Sequence, residues 1–195
     1  LFPVLRAMPS QGLDKVFFLA AKTPGRRLAL DAAASLGAGT TIPLRVLELT
    51  ARDKACEHPD KACQGDACPL AKGFYDRLPA ARTAASQVAL LDREALREVG
   101  LAHDVCPYYL GSEMARWTDM VVGDYNYYFD GSAMLYALAL ERGWKASVLV
   151  DEAHNMVSRA RSMYSVELER AGLRAARADA PAPVKKALER VGRAW

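Results

Sequence analysis

Apolar positions fall in short continuous runs separated by longer amphipathic stretches. KVFFLA at 15–20 is an unbroken apolar run rich in β-formers, which predicts a buried strand. In TPGRRLALDAAASLGAG, Thr23 can cap, Pro24 suits a first helical turn and Gly37 and Gly39 supply an end, so a helix follows. LRVLEL at 44–49 alternates apolar and polar residues and predicts a second strand. DMVVG at 119–123 predicts a short strand, GSAMLYALALERG at 131–143 a helix with Gly143 just past its end, and ASVLVDEAH at 146–154 an apolar strand that ends in acids. Strands alternating with helices imply an α/β fold: a mostly parallel sheet with helices on both faces. Ligands of such sheets collect at the carboxyl ends of the strands, where the acids after SVLV lie.

Residues 51–108 interrupt this alternation. Cys, His, Pro and Gly punctuate 56–73, a helical run around FYDRLPAARTAA is expected to break at Pro79, and LDREALREVGLAHDV reads as a helix capped by Asp92. The alternation resumes after Cys106, with Pro107 in the first turn of a helix through YYLGSEMARW. Beyond about residue 160 the chain is rich in Arg and Ala, with a separate helix starting near Pro183, and there are no internal repeats.

Composition narrows the classes. The chain has 195 residues, 51% of them hydrophobic and 25% charged, which suits one sizeable globular domain or a domain with an insertion. A net charge of +3 permits a nucleic-acid partner without arguing for one. LFPVLRAMPS lacks the form of a signal peptide, and no apolar segment reaches membrane-spanning length, so no membrane partner is expected. The expected compartment is then the reducing cytosol, where clustered cysteines bind metal or do redox work more often than they form structural disulfides.

Four constellations carry chemistry. In VLVDEAHN, an Asp-Glu pair directly after a buried strand is what a nucleotide hydrolase needs, one acid for Mg²⁺ and one for the attacking water. Acids at a strand end also cap the next helix, but the apolar strand joined to Asp-Glu-Ala-His favours the hydrolytic reading. Cys56, Cys63, Cys68 and Cys106 are separated by six, four and thirty-seven residues, and four thiolates suit tetrahedral zinc or a [4Fe–4S] cluster. The spacing is not the paired Cys-x-x-Cys of zinc ribbons, and His58 reads as a solvated loop histidine. Cys106 is expected at a helix N-terminus, where the dipole stabilises a thiolate. AAKTPGRR at 20–27 offers small and basic residues to phosphates, though alone it reads as a solvated helix start. GDYNYYFDG at 123–131 interleaves aromatics with Asn, for base stacking or, for at least two of its three tyrosines, core packing.

The order FFLAAKTPGR, four-cysteine insertion, CPYY, VVGDYNYYFD, VLVDEAHN resembles the XPD/DinG-like iron–sulfur superfamily 2 DNA helicases, the bacterial DinG-like branch most of all. The resemblance covers roughly residues 1–165. It implies a partial RecA-like sheet interrupted by a mostly helical iron–sulfur insertion: 1–52 and 109–160 would form motor domain 1, 53–108 the cluster insertion and 161–195 the start of an arch domain. It implies ATP-driven 5′ to 3′ movement on single-stranded or forked DNA, a DNA-repair setting, and a bacterial cytoplasmic, nucleoid-associated location. By match, Cys56, Cys63, Cys68 and Cys106 would ligate a [4Fe–4S] cluster. Asp151 would hold Mg²⁺, Glu152 would activate water and His154 would couple the ATP site to the motor. Lys22, Thr23 and Arg26 would contact the DNA backbone, and Tyr125 and Asn126 would lie near the DNA path.

No G-x-x-x-x-G-K-[ST] occurs, and LFPVLRAM resembles the helix just after that phosphate loop. The chain is therefore expected to be a fragment, inactive towards ATP alone, with an exposed sheet edge that permits self-association. The alternative is a non-enzymatic zinc-binding or redox-switch module that binds nucleic acid. That reading accounts for the cysteines but not for Asp-Glu-Ala-His. A third class, a nucleotide hydrolase without DNA, differs from the first in lacking salt-sensitive binding to single strands.

Overall fold

The computed structural model describes residues 1–39 and 44–195. Helix α1 (Phe2–Gln11) and strand β1 (Lys15–Leu19) open the chain, followed by α2 (Thr23–Ala38), β2 (Val46–Glu48), α3 (Arg52–Ala55), α4 (Phe74–Ser86) and β3 (Leu90–Leu91). Next come α5 (Arg93–Ala102), α6 (Pro107–Met114), β4 (Met120–Gly123), α7 (Asn126–Phe129), α8 (Met134–Arg142) and β5 (Ala146–Val150). A 3₁₀ turn (Ala153–Asn155), α9 (Met156–Met163), α10 (Arg170–Asp179) and α11 (Ala182–Ala194) complete it. Two compact units result, residues 1–157 and 158–195.

In the first unit the strands form one parallel sheet in the order β3-β2-β4-β1-β5. The apolar run predicted first supplies its central layer: Val16, Phe17 and Leu19 are fully buried. Strand alternation sends Val16 to one face, where it joins Val46, Met120 and Val122 beneath Ala29, Leu30 and Ala33 of α2 and Val4, Leu5 and Met8 of α1. Phe17 points to the other face, and its ring centroid lies 5.7 Å from that of Tyr128 in α7, which in turn stacks edge-on with Tyr136 of α8 at 5.6 Å. Both faces are thereby covered by helices, as a parallel sheet requires. Along the described strands β5 is an edge, hydrogen-bonded to β1 alone, and its five residues are all half-buried.

The helix ends follow local chemistry. Asp92 caps α5 by accepting from the Ala95 amide at 3.0 Å, and Gly143 takes the left-handed conformation (φ 64°) after α8. The N-cap of α2 is Lys22, with Thr23 already inside the helix, and Gly37 lies within it, so only Gly39 ends it as expected. Three further features depart from expectation. Pro79 lies inside α4 without breaking it: the helix forgoes one backbone bond, while Ala81 and Ala85 on the same helix are fully buried. The sheet gains β3 from within the interval read as an insertion, paired with β2 through Val46–Leu90 and Leu47–Leu91. The helix after Cys106 stops at Met114, before the Ala-Arg-Trp that was expected to continue it.

Lys15 sits at the amino end of β1, only 5% exposed. Its ammonium donates to the carbonyls of Ala115, Arg116 and Thr118 and lies 4.5 Å from the Trp144 ring. Burial lowers its pKa from 10.5 to about 8, against the raising influence of Asp119 and Asp14. In the second unit, α10 and α11 pack on one another.

Candidate nucleotide and cluster sites

The register of three neighbouring strands builds the first site. Leu19 is aligned with Gly123 of β4 and with Val150 of β5, so the strands finish level. The next residues, Ala20, Asp124 and Asp151, stand side by side, and the ladder runs one step further: Ala20 donates to Gly123 O and Asp151 to Leu19 O, both at 2.9 Å. Asp151 therefore leaves the sheet at a height set by backbone hydrogen bonds.

Two neighbours fix it further. The Tyr125 hydroxyl donates to the Asp151 carbonyl. The Asp151 carboxylate lies against Gly25, in the first turn of α2: a Cβ there would stand 2.5 Å from Asp151 Oδ2 and 3.2 Å from Ala20 Cβ. A carboxylate beside a helix N-terminus is stabilised by the helix dipole and its free amides. Glu152 turns the chain with φ 52° and is exposed, and its carboxylate lies 3.3 Å from His154 Nε2. One acid is thus anchored at the sheet and the next projects outward, a division suited to holding a cation and a water.

The basic loop before α2 divides in the same way. Lys22 is exposed at the N-cap of α2. Arg26 instead turns inward: it donates to Ala20 O at 3.3 Å and to the Thr23 hydroxyl at 3.2 Å, and lies 3.9 Å from Asp124. It ties the ends of β1 and β4 together. Asn126 is exposed, its backbone amide bonded to Asp124 Oδ1. Tyr125, expected near a DNA path, is fully buried and has no surface to offer a base. Burial also pushes the Tyr127 pKa up to about 12.

The cysteines form the second site. All four are free thiols; Cys63 is exposed and the others are half-buried. Cys56 ends α3, Cys63 and Cys68 lie in the irregular loop before α4, and Cys106 is the N-cap of α6. Arg52, Asp53, Cys56, Pro59, Lys61, Ala62 and Cys63 line a cavity of about 370 Å³. Burial pushes the Cys106 thiol above its ordinary value; the Tyr109 and Tyr108 amides pull it down, and the nearby Cys56 and Cys68 thiols add smaller upward pushes. The expected helix N-terminal stabilisation is present but burial outweighs it. Burial raises the Tyr109 hydroxyl above its ordinary value, with smaller upward pushes from Cys63, Tyr108 and Cys106. Among the described residues, no group of three or more His, Cys, Asp or Glu side chains is arranged to hold a metal ion, His58 included. Four thiols have the donor chemistry of a four-thiolate cluster, but they are not brought into a ligating arrangement.

Gly25 and the Tyr125–Asp151 bond were not foreseen from the sequence. A glycine inside the first turn of a helix was the available signal for the former; none marked the latter.

The sequence itself matches a known family. Residues 41–173 match DEAD_2, and the chain belongs to that family. It is 28% identical over 166 residues to the regulator of telomere elongation helicase 1 homolog of Anopheles gambiae, covering 78% of this chain and 16% of that protein. It is also 28% identical over 126 residues to the human regulator of telomere elongation helicase 1, covering 57% of this chain and 10% of that one. The chain thus spans a small part of the length of these relatives. Among solved structures the fold is similar to truncated XPD, with a TM-score of 0.59 at 14% identity, over 98% of this chain and 55% of that one. The α/β fold with a RecA-like parallel sheet, expected from the sequence, is the fold observed.

Proposed function

We propose that the chain is a segment of an ATP-dependent DNA helicase of the XPD/DinG-like kind, contributing part of motor domain 1 and a [4Fe–4S] insertion. The observation that carries this reading is the level ending of β1, β4 and β5, which sets the Asp151 carboxylate against the start of α2 with Glu152 projecting beyond it. In this reading Asp151 holds Mg²⁺, Glu152 orients the water that attacks ATP, and His154, 3.3 Å from Glu152, relays the state of the site to the motor. Lys22, Thr23 and Asn126 are exposed beside the site and take the DNA-facing role. Arg26 braces the loop from within through the Ala20 carbonyl, and Tyr125 braces Asp151. Residues 53–108 form the insertion, in which Cys56, Cys63, Cys68 and Cys106 would hold the cluster. The cluster would supply cross-linking to a loop-rich segment with a small core of its own. Residues 161–195 begin an arch domain. Movement 5′ to 3′ along single-stranded or forked DNA, and a bacterial DinG-like lineage, complete the reading.

The test uses the full-length protein. Glu152→Gln is expected to lower DNA-stimulated ATP hydrolysis by about 10²–10⁴-fold, the worth of a positioned acid–base group, with DNA binding retained. Unchanged turnover would remove Glu152 from the chemistry and the reading with it. Anaerobic protein is expected to carry about four irons and four acid-labile sulfides per chain. One zinc with no sulfide would favour the zinc-module alternative instead.

A further inference from the structure

We propose that Arg77 is a positioning residue that clamps together the two chain segments carrying Cys68 and Cys106, setting the separation of these thiols before any cluster is bound. The proposal rests on the four-cysteine reading above for its purpose, though not for its geometry.

Arg77 lies in the first half of α4 and is half-buried. Its Nη2 donates to Lys72 O and to Asp104 O, both at 2.6 Å, and meets Pro69 O at 3.2 Å. Pro69 and Lys72 belong to the turn that follows Cys68. That turn is closed on Cys68 itself, whose carbonyl accepts from the Ala71 and Lys72 amides at 3.0 and 3.1 Å. Asp104 lies two residues before Cys106. It adopts φ 51°, an uncommon conformation for a residue with a side chain, and the following Val105 is fully buried with its amide on Gly100 O at 2.8 Å. One guanidinium therefore joins two rigid turns that are far apart in sequence.

The environment suits the group. Gly73, with φ 66°, presents no side chain there; a Cβ would come 3.4 Å from Arg77 Nη1. The two N–H groups of Nη2 are taken by the Lys72 and Asp104 carbonyls in short charge-assisted bonds, with Pro69 O as a longer third contact.

The experiment compares the full-length wild-type protein with Arg77→Met and Arg77→Lys by amide hydrogen exchange, and measures iron loss to a chelator after anaerobic loading. In Arg77→Met, exchange in residues 69–73 and 103–106 is expected to rise together by about tenfold, the factor carried by a single charged hydrogen bond, with the β1, β4 and β5 peptides unchanged. Iron release is expected to accelerate by a similar factor, and Arg77→Lys to fall between the two. Should Arg77→Met fold poorly, Arg77→Lys alone decides: exchange equal to wild type in both segments overturns the clamp. A wild type that binds no iron, with both segments loosened in the variants, upholds the clamp and removes the iron–sulfur reading. Firmly bound iron in wild type, with exchange and iron loss unchanged in both variants, overturns the clamp and leaves that reading standing.

Discussion

The two candidate sites are held in place by different means. At the carboxyl edge of the sheet, Asp151 is placed chiefly by a backbone ladder over a buried layer, with side-chain contacts such as Tyr125 and Arg26–Asp124 added to it. The cysteine segment has no ladder. Between Cys56 and Phe74 it runs through turns, braced by isolated side chains: Arg77 on three carbonyls, and Arg97 on Glu57 through two bonds of 2.7 and 2.9 Å. The first arrangement separates chemistry from stability. The second joins them, because what positions the thiols is also most of what orders the loop.

The comparison can be broken most forcefully at the sheet. Phe17→Ala deletes a fully buried ring between Val121 and Val148, and is expected to cost about 3–5 kcal/mol in urea unfolding, with all structural probes of residues 1–157 moving together. If the sheet alone melted and the cysteine segment kept its exchange protection, the two regions would be independent folding units.

A smaller effect is expected at Gly25→Ala. Overpacking costs about 1–3 kcal/mol, and the better helix former returns up to about 1 kcal/mol. Stability should therefore fall modestly while ATP turnover of the full-length protein falls much further, because the added methyl group displaces the Asp151 carboxylate. Equal losses in both would show that Gly25 serves packing alone.

Lys15 gives a pH signature from the far end of the same strand. Its folded pKa, about 8, lies below the ordinary 10.5, chiefly through burial. Between those values the folded chain has released a proton that the unfolded chain still binds, so this residue makes stability rise with pH across that window. Denaturation series at pH 7.5, 8.5 and 9.5, compared with Lys15→Met, should show that rise in the wild type only; parallel curves would contradict it.

The smallest effect is expected at Arg97→Ala. Its ion pair with Glu57 is half exposed on the arginine side, so water screens it and its contribution to stability is small. Local exchange at residues 56–58 should increase without a shift in the global midpoint. A clear drop in the global midpoint would mean that the pair, and not the arginine–carbonyl clamp, organises the loop.

What was legible in the sequence follows the same division. Apolar runs announced β1, β4 and β5, and the acids after β5 fell where parallel sheets bind ligands. Asp92 and Gly143 were readable because caps are chosen by their own chemistry. Strand β3 was not, since two leucines carry no period. Pro79 misled because the cost of a proline in a helix is local, while the burial of Ala81 and Ala85 is decided by partners distant in sequence. The inward course of Arg26, the burial of Tyr125 and the reach of Arg77 to Asp104 are tertiary facts about long or amphipathic side chains, which serve equally well on a surface.

The level ending of the three strands has a consequence for length variation. Removing one residue from β1, β4 or β5 would draw its loop back by about 3.3 Å and reverse the face of every side chain beyond the deletion. The strands act as a ruler, cut to a common mark, and tolerate changes of letter far better than changes of count. The turns between Cys56 and Phe74 have no such common mark. Insertions there turn no strand face over, but they shift the thiols that those turns carry.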